Sequence, residues 1–157
     1  MKYTDIEQYP FLWVFRRADL AIPAEDLAQI RPLAPAYAKQ VWQREVSQDA
    51  VELERLDDKD WPSQADTWSD IAHWDQAFDS DEPALPAPLA EHLGWVKDTL
   101  VYICYDCDHV LETRYSVFQR SWKAFLFAAD QALVVGRKRA EALWFVDEQQ
   151  VRLGRKA

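Results

Sequence analysis

The segment from residue 115 to residue 154 constrains the fold more than any other part of the chain. Aromatic side chains recur at its start with three- and four-residue spacing, which is typical of one helix face: Tyr115, Phe118, Trp122 and Phe125. Short apolar runs bounded by turn residues follow, as in successive strands: residues 125–127, 133–137, 142–146 and 151–153. The segment therefore predicts a helix over residues 114–123 that packs on an antiparallel sheet.

The rest of the chain predicts helices first and strands second. Residues 99–105 are β-branched, aromatic and apolar, and residues 110–113 return after a turn, which predicts a hairpin. Residues 36–48 carry one apolar helical stripe, while the short aromatic run at residues 10–15 suits a buried strand. Proline and glycine residues that mark helix ends predict further helical segments. One begins at Ile22, and the others cover residues 51–56 and 86–93.

The predicted fold is a single α+β domain over residues 1–157. An N-terminal helical half is followed by a mainly antiparallel β-sheet with one packed aromatic-faced helix. A chain of 157 residues, 49% of them hydrophobic, can bury a self-sufficient core without disulfides or metal.

Residues 60–88 are the least regular part of the chain and are rich in Asp, Ser, Pro and Trp. Disordered segments are poor in aromatic residues, so this composition predicts a long ordered connection. Its aromatic residues are Trp61, Trp68, Trp74 and Phe78. Two roles are open to them, because tryptophan anchors loops to a core and is also enriched at binding hot spots.

Composition limits the classes of protein to which the chain can belong. A formal net charge of −9 argues against nucleic-acid binding, because neutralising phosphate dominates that affinity. No apolar run approaches the roughly 20 residues that span a bilayer, and the first residues lack the pattern of a secretory signal. Two cysteines without framework spacing indicate a reducing compartment. We therefore expect a cytoplasmic protein that binds neither membrane nor nucleic acid.

Charge is distributed unevenly along the chain. Residues 45–82 hold thirteen carboxylates and two cations, whereas residues 137–157 hold six cations and three carboxylates. The tightest basic cluster is Arg137, Lys138 and Arg139. It is a candidate for binding a phosphate or an acidic partner, since an arginine guanidinium donates two parallel hydrogen bonds to such groups. The other interpretations are solvation at a hairpin and pairing with the acidic segment.

Cys104, Cys107 and His109 form a spacing that is suggestive of metal binding. Zinc takes four nitrogen or sulfur ligands, so His92 or His73 would have to supply the fourth. A cysteine inside a strand is also commonly a small buried side chain. A redox role needs a helix N-terminus to lower the pKa of the thiol, and a β-turn does not provide one. Zinc is therefore an alternative to two structural cysteines, and no cofactor is predicted.

The chain also resembles a known family. The residues that carry the resemblance are 22–23, 32–33, 102–106, 117–127, 130, 135–139 and 153–154. On these motifs the chain is identified as a member of DUF2947, a family of uncharacterised gammaproteobacterial proteins. The resemblance implies kinship in fold and source, and it implies no catalytic residue.

The first functional hypothesis is a non-enzymatic, cytoplasmic protein-interaction domain of an immunity-like or adaptor type. It binds a basic protein through an acidic surface over residues 57–82, with Trp61, Trp68 and Trp74 as buried anchors. Its immunity-like form rests on a likeness, in architecture only, to modules that often protect against bacterial toxins.

The second hypothesis is a small-ligand or metal-binding domain, with hydrolysis as one form of it. It is built on Cys104, Cys107 and His109 or on the basic turn. The chain has three glycines and no Gly-x-Ser-x-Gly, phosphate-loop or dinucleotide motif. Sequence motifs therefore give no positive support to an enzyme.

Overall fold

The structure is a computed structural model that describes residues 1–20, 22–127 and 129–156. Within these residues, seven strands form one sheet: β1 (Arg31–Pro32), β2 (Trp68–His73), β3 (Leu100–Asp106), β4 (His109–Arg114), β5 (Ala132–Gly136), β6 (Glu141–Phe145) and β7 (Gln150–Arg155). The α-helices are α1 (Leu12–Phe15), α2 (Ala24–Leu27), α3 (Pro35–Glu45), α4 (Asp75–Asp79), α5 (Ala87–Leu93) and α6 (Tyr115–Phe127). Single 3₁₀ turns lie at Ile6–Gln8, Leu53–Arg55, Trp61–Ser63 and Ala65–Thr67.

The sheet is antiparallel throughout and has the strand order β1-β4-β3-β5-β6-β7-β2. The C-terminal half supplies the five inner strands, and the N-terminal half supplies both edges. The prediction of an α+β fold with a mainly antiparallel sheet is confirmed. The two edge strands, β1 and β2, were not among the predicted strands.

Side-chain alternation along the strands divides the core into two layers. Val101 and Ile103 of β3 pack with α6, whereas Tyr102 and Cys104 pack with α3. We call these sides of the sheet the α6 face and the α3 face. Helices α1, α4 and α5 contribute to the α6 face, so helical segments cover the sheet on both sides.

Several local predictions are confirmed. The β3–β4 hairpin, α3 and the strands β5, β6 and β7 lie where the sequence placed them. Helix α5 ends at Gly94, which has a φ of +58° in the left-handed region that favours glycine. The segment at residues 51–56 forms only a 3₁₀ turn at Leu53–Arg55.

The prediction of a strand at residues 10–15 is wrong, because the chain forms the helical turn α1 there. Other segments form both edges of the sheet, since β1 pairs with β4 and β2 pairs with β7. A helical turn meets its own hydrogen-bonding needs, as the bond from Val14 N–H to the Phe11 carbonyl shows. This turn buries Val14 and Phe15 and leaves Trp13 53% exposed.

The prediction of a strand at residues 125–127 is also wrong. Helix α6 continues to Phe127, with a kink at Ser121 where φ is −128°. Beyond the kink, Phe125 is buried against Phe15 of α1, with ring centroids 5.4 Å apart. Tertiary packing therefore extends the helix beyond its predicted end.

Candidate functional site

The sheet register sorts charged residues to two ends of the molecule. Strands β3 and β6 begin, and β4, β5 and β7 end, at one end of the sheet. This basic end carries Lys97, Arg114, Arg137, Lys138, Arg139, Arg155 and Lys156, with the carboxylates Asp98 and Glu141. The opposite, acidic end carries Asp106, Asp108, Asp130, Asp147 and Glu148. The seven residues of β3 separate the two ends by about 20 Å.

A cavity of about 250 Å³ opens at the acidic end, on the α6 face. Its walls are aromatic: Tyr9, Phe11, Phe15, Tyr105 and Phe125. Its carboxylates are Glu52, Glu54, Asp106 and Asp130. The cavity therefore combines apolar walls with acidic groups, which is a setting for a cationic ligand.

Four separate segments build this cavity. Helix α1 and the residues before it supply the aromatic side, and the β3–β4 turn supplies Asp106 and His109. Asp130 precedes β5, and Glu52 forms an isolated β-bridge with Asp106. No local sequence pattern joins these segments, so the site exists only once the chain is folded.

The Asp106 carboxylate is fixed in position by its turn. Its Oδ1 atom accepts hydrogen bonds from the backbone N–H groups of Asp108 and His109, at 2.8 and 2.9 Å. Its two oxygens also lie 2.9 and 3.0 Å from His109 Nδ1. The ring of Phe11 packs edge-on against His109, with centroids 6.3 Å apart. Asp106 and His109 are thus held at the rim beside an aromatic wall.

The two tyrosines in the wall are neutral at physiological pH. Burial, and next the charge of Asp106, raise the pKa of the Tyr9 hydroxyl. Burial likewise raises the pKa of Tyr105, whose hydroxyl donates to the backbone carbonyl of Phe125. They are therefore wall and hydrogen-bonding groups rather than bases.

Exposed aromatic side chains accompany the cavity. Phe11 at its rim is 41% exposed, and Trp13, two residues further on, is 53% exposed. Trp13 packs edge-on against Phe127 and is otherwise open to solvent. The run at residues 10–15 predicts a buried strand, so this exposure is visible only in the structure.

Trp61, Trp68 and Trp74, the predicted binding anchors, pack into the molecule. Trp61 and Trp68 lie in a row with Trp144 on the α3 face, with neighbouring centroids 5.8 Å apart. Each indole N–H donates to a backbone carbonyl: Trp61 to Glu45 at 2.8 Å, Trp68 to Pro62 at 2.8 Å and Trp74 to Asp147 at 3.2 Å. This geometry favours the anchoring role over the hot-spot role.

The basic turn of Arg137, Lys138 and Arg139 is exposed at the basic end. It joins β5 and β6, which are inner strands, so it does not protect a sheet edge. Lys138 has a φ of +59°, in the left-handed region, which closes the turn tightly. Within the described residues the three side chains form no ion pair, whereas Lys156 pairs with Glu45.

The structure does not bring the four candidate zinc ligands together. Cys104 and Cys107 belong to the α3 face. His92 lies on α5, which packs on the α6 face, and its Nε2 atom bonds to a backbone carbonyl of β7. His109 points to the cavity. Across the described part of the chain, no three His, Cys, Asp or Glu side chains are arranged to hold a metal ion.

Both thiols are expected to react slowly in the folded protein. Burial raises the pKa of Cys104 and, together with the nearby Asp108 and Asp106, that of Cys107. A higher thiol pKa lowers the fraction of reactive thiolate at neutral pH. We expect modification by a disulfide reagent at pH 7 to be at least about tenfold slower in native than in denatured protein. A cysteine that reacts as fast in the native as in the denatured protein would contradict the burial of its side chain.

Comparison with known proteins places the chain in one family. A family model for DUF2947, described as a protein of unknown function, matches residues 3–154. No curated protein and no solved structure matches the chain. Helices long and apolar enough to cross a membrane are not found among the described residues. The predicted gammaproteobacterial source stays a prediction.

Proposed function

The chain belongs to the DUF2947 family of proteins of unknown function, and we propose that it is a non-enzymatic protein-interaction domain. In this proposal it acts in the cytoplasm, as an immunity-like or adaptor-like protein, and binds a basic protein partner at its acidic end. No nucleic acid, membrane or cofactor takes part.

One observation carries the proposal: an open cavity lies among carboxylates, with Phe11 and Trp13 exposed beside it. Charge of one sign attracts an oppositely charged partner and speeds association. Exposed aromatic side chains supply the apolar area that contributes most to binding energy. The acidic end of the sheet offers both properties in one place.

The proposed surface differs from the one that the sequence indicated. The acidic segment at residues 57–82 contains Trp61, Trp68 and Trp74, but their rings pack inward. Phe11 and Trp13 replace them as candidate anchors. The class of partner, a basic protein, is unchanged.

A hydrolytic role has less support. The cavity holds His109 beside Asp106, a pair that can accept a proton. Its described lining includes no Ser, Thr or Cys to act as a nucleophile. Cys107, the nearest cysteine in sequence, packs on the other face of the sheet.

Reversing charge at the acidic end is expected to weaken binding of a basic partner. The variant is Glu54→Lys/Asp130→Lys, at two exposed positions that line the cavity. The probe is a short peptide rich in arginine and lysine. We expect its Kd to rise at least about tenfold, because attraction becomes repulsion at the contact. Binding is measured by fluorescence anisotropy at low and high salt.

A matched control separates this site from the general charge of the protein. Asp66→Lys/Asp81→Lys changes two exposed carboxylates within residues 57–82, and both variants raise the net charge from −9 by the same four units. We expect the control to weaken binding by no more than about threefold, since screening limits charges at a distance. Equal losses in the two variants, or a larger loss in the control, would refute the proposed site.

A further inference from the structure

We propose that the cavity at the acidic end receives the guanidinium group of an arginine side chain of the basic partner. The inference rests on the proposed function and names the group that enters the cavity. It follows from the size of the cavity, the chemistry of its walls and the charge that its carboxylates retain.

The size of the cavity suits one side chain. Its volume is about 250 Å³, whereas sites for drug-sized ligands and cofactors range over roughly 300–1,000 Å³. A nucleotide or a large cofactor is therefore a poor fit. The end of an extended side chain, entering from a partner that lies on the rim, fills such a space.

The walls favour a flat organic cation over a metal ion. The rings of Tyr9 and Phe11 pack edge-on with centroids 5.8 Å apart, and the centroids of the Tyr9 and Phe15 rings lie 6.2 Å apart. Aromatic faces attract cations, and arginine stacks on them because its guanidinium is planar and weakly hydrated. The protein itself contains this kind of contact, since the Arg17 guanidinium lies 4.2 Å from the Phe127 ring centroid.

Two of the four lining carboxylates, Glu54 and Asp130, have no cationic partner among the described residues. Glu52 is paired with Arg55, and Asp106 is held by its turn and by His109. Among the described residues, the Glu54 carboxylate accepts a single long hydrogen bond, of 3.4 Å from Gln131. Asp130 forms no ion pair within the described residues, and the described lining includes no Lys or Arg. Glu54 and Asp130 are thus placed to pair with an incoming guanidinium.

The test titrates the full chain with small probes and follows binding by NMR. The probes are the Nα-acetyl methylamides of arginine, lysine and citrulline, the last being an uncharged analogue of arginine with nearly the same shape. We expect arginine to bind with a Kd of about 1–10 mM, as a group of this size allows. Lysine should bind about threefold or more weakly, and citrulline at least about tenfold more weakly. The largest changes in NMR chemical shift should occur at His109 and at the rings of Tyr9 and Tyr105.

Two variants locate the bound probe. Phe11→Leu keeps an apolar side chain but removes the aromatic face, and should weaken arginine binding about threefold to tenfold. Tyr37→Leu is the matched control, because Tyr37 is a partly buried aromatic residue of the α3 face that does not line the cavity, and it should leave arginine binding unchanged. If Phe11→Leu does not fold, Asp130→Asn at an exposed position tests the same contact through its charge.

The outcomes distinguish this inference from the proposed function. Equal binding of arginine and citrulline, or shifts away from the cavity, overturns the inference. If Glu54→Lys/Asp130→Lys then still loses the basic peptide, the proposed function stands without it. If arginine binds in the cavity while the same variant retains the peptide, the proposed interaction surface is wrong.

Discussion

Replacing Gly154 by alanine is expected to lower the free energy of unfolding by about 3 kcal/mol, at the upper end of overpacking effects. A Cβ atom at this position would lie 2.3 Å from the backbone oxygen of Thr67 and 2.6 Å from Cε3 of Trp68. A clash with a backbone atom cannot be relieved by rotating a side chain, so β2 has to move away from β7. We expect a lower urea midpoint and faster hydrogen exchange in β2, whereas exchange in β3 should change least.

Gly136→Ala is the matched control for that substitution. Its Cβ would meet only side-chain atoms, Cγ of Arg139 and the Trp95 ring, both at 3.0 Å. The Arg139 side chain can rotate away and the ring can shift slightly, so we expect a loss of about 1 kcal/mol. Equal losses at the two glycines would mean that the close contact of β2 with Gly154 is not what constrains position 154.

Replacing Arg120 by alanine is expected to lower the free energy of unfolding by about 2 kcal/mol. Its guanidinium donates two hydrogen bonds to Asp26, at 3.0 and 2.7 Å, and joins helix α6 to helix α2. Asp26 is 2% exposed, so its carboxylate would be left buried without a partner. Removing one partner of a fully buried pair costs about 3–5 kcal/mol. The effect should be smaller here because the Arg120 side chain is 55% exposed, which lets water replace it.

Arg17→Ala is the comparison for Arg120→Ala. Arg17 also binds a carboxylate with two hydrogen bonds, but its partner Asp19 is exposed. Exposed pairs contribute little because water solvates both charges. The loss should therefore stay below about 1 kcal/mol, most of it from the contact of Arg17 with the Phe127 ring. Chemical denaturation of the two variants checks the pair, and a null effect of Arg120→Ala would show that Asp26 is solvated without its partner.

The C-terminal half was predictable because its structure is recorded in local patterns. Strands β3, β5 and β6 are mainly apolar runs bounded by turn residues, whereas β4 and β7 mix apolar with polar residues. Consecutive strands mostly pair with each other as hairpins. Helix α6 carries its aromatic stripe at helical spacing. Gly94 marks the end of α5 with a left-handed residue. In each case the residues that decide the structure are close together in sequence.

The errors lie where distant segments decide the conformation. Residues 10–15 have the composition of a buried strand, but β1 occupies the edge of β4 and the run forms α1 instead. Residues 68–73 show no strong strand pattern, since only Trp68 and Ala72 are half-buried while the others are exposed. Pairing with β7 makes them an edge strand. Neither outcome can be read from a local window.

The candidate site shows the same division. The sequence identified a basic turn and an acidic segment, but Asp106, Asp130 and Glu54 come together from three places in the chain. Cys104 and His92 are twelve positions apart and lie on opposite faces of the sheet. Spacing along the chain left zinc open as an alternative, and the sheet keeps its candidate ligands apart.

By itself, the sequence determined the family, the α+β class and the strands and aromatic helix of the C-terminal half. The hydrophobic periodicity shows which side of a single helix or strand is apolar, and turn residues mark where that element ends. Only the tertiary structure decided which strands form the edges, which aromatic residues remain exposed and which carboxylates share a cavity. Those outcomes depend on strand order and register between segments far apart in sequence, which packing across the whole molecule fixes.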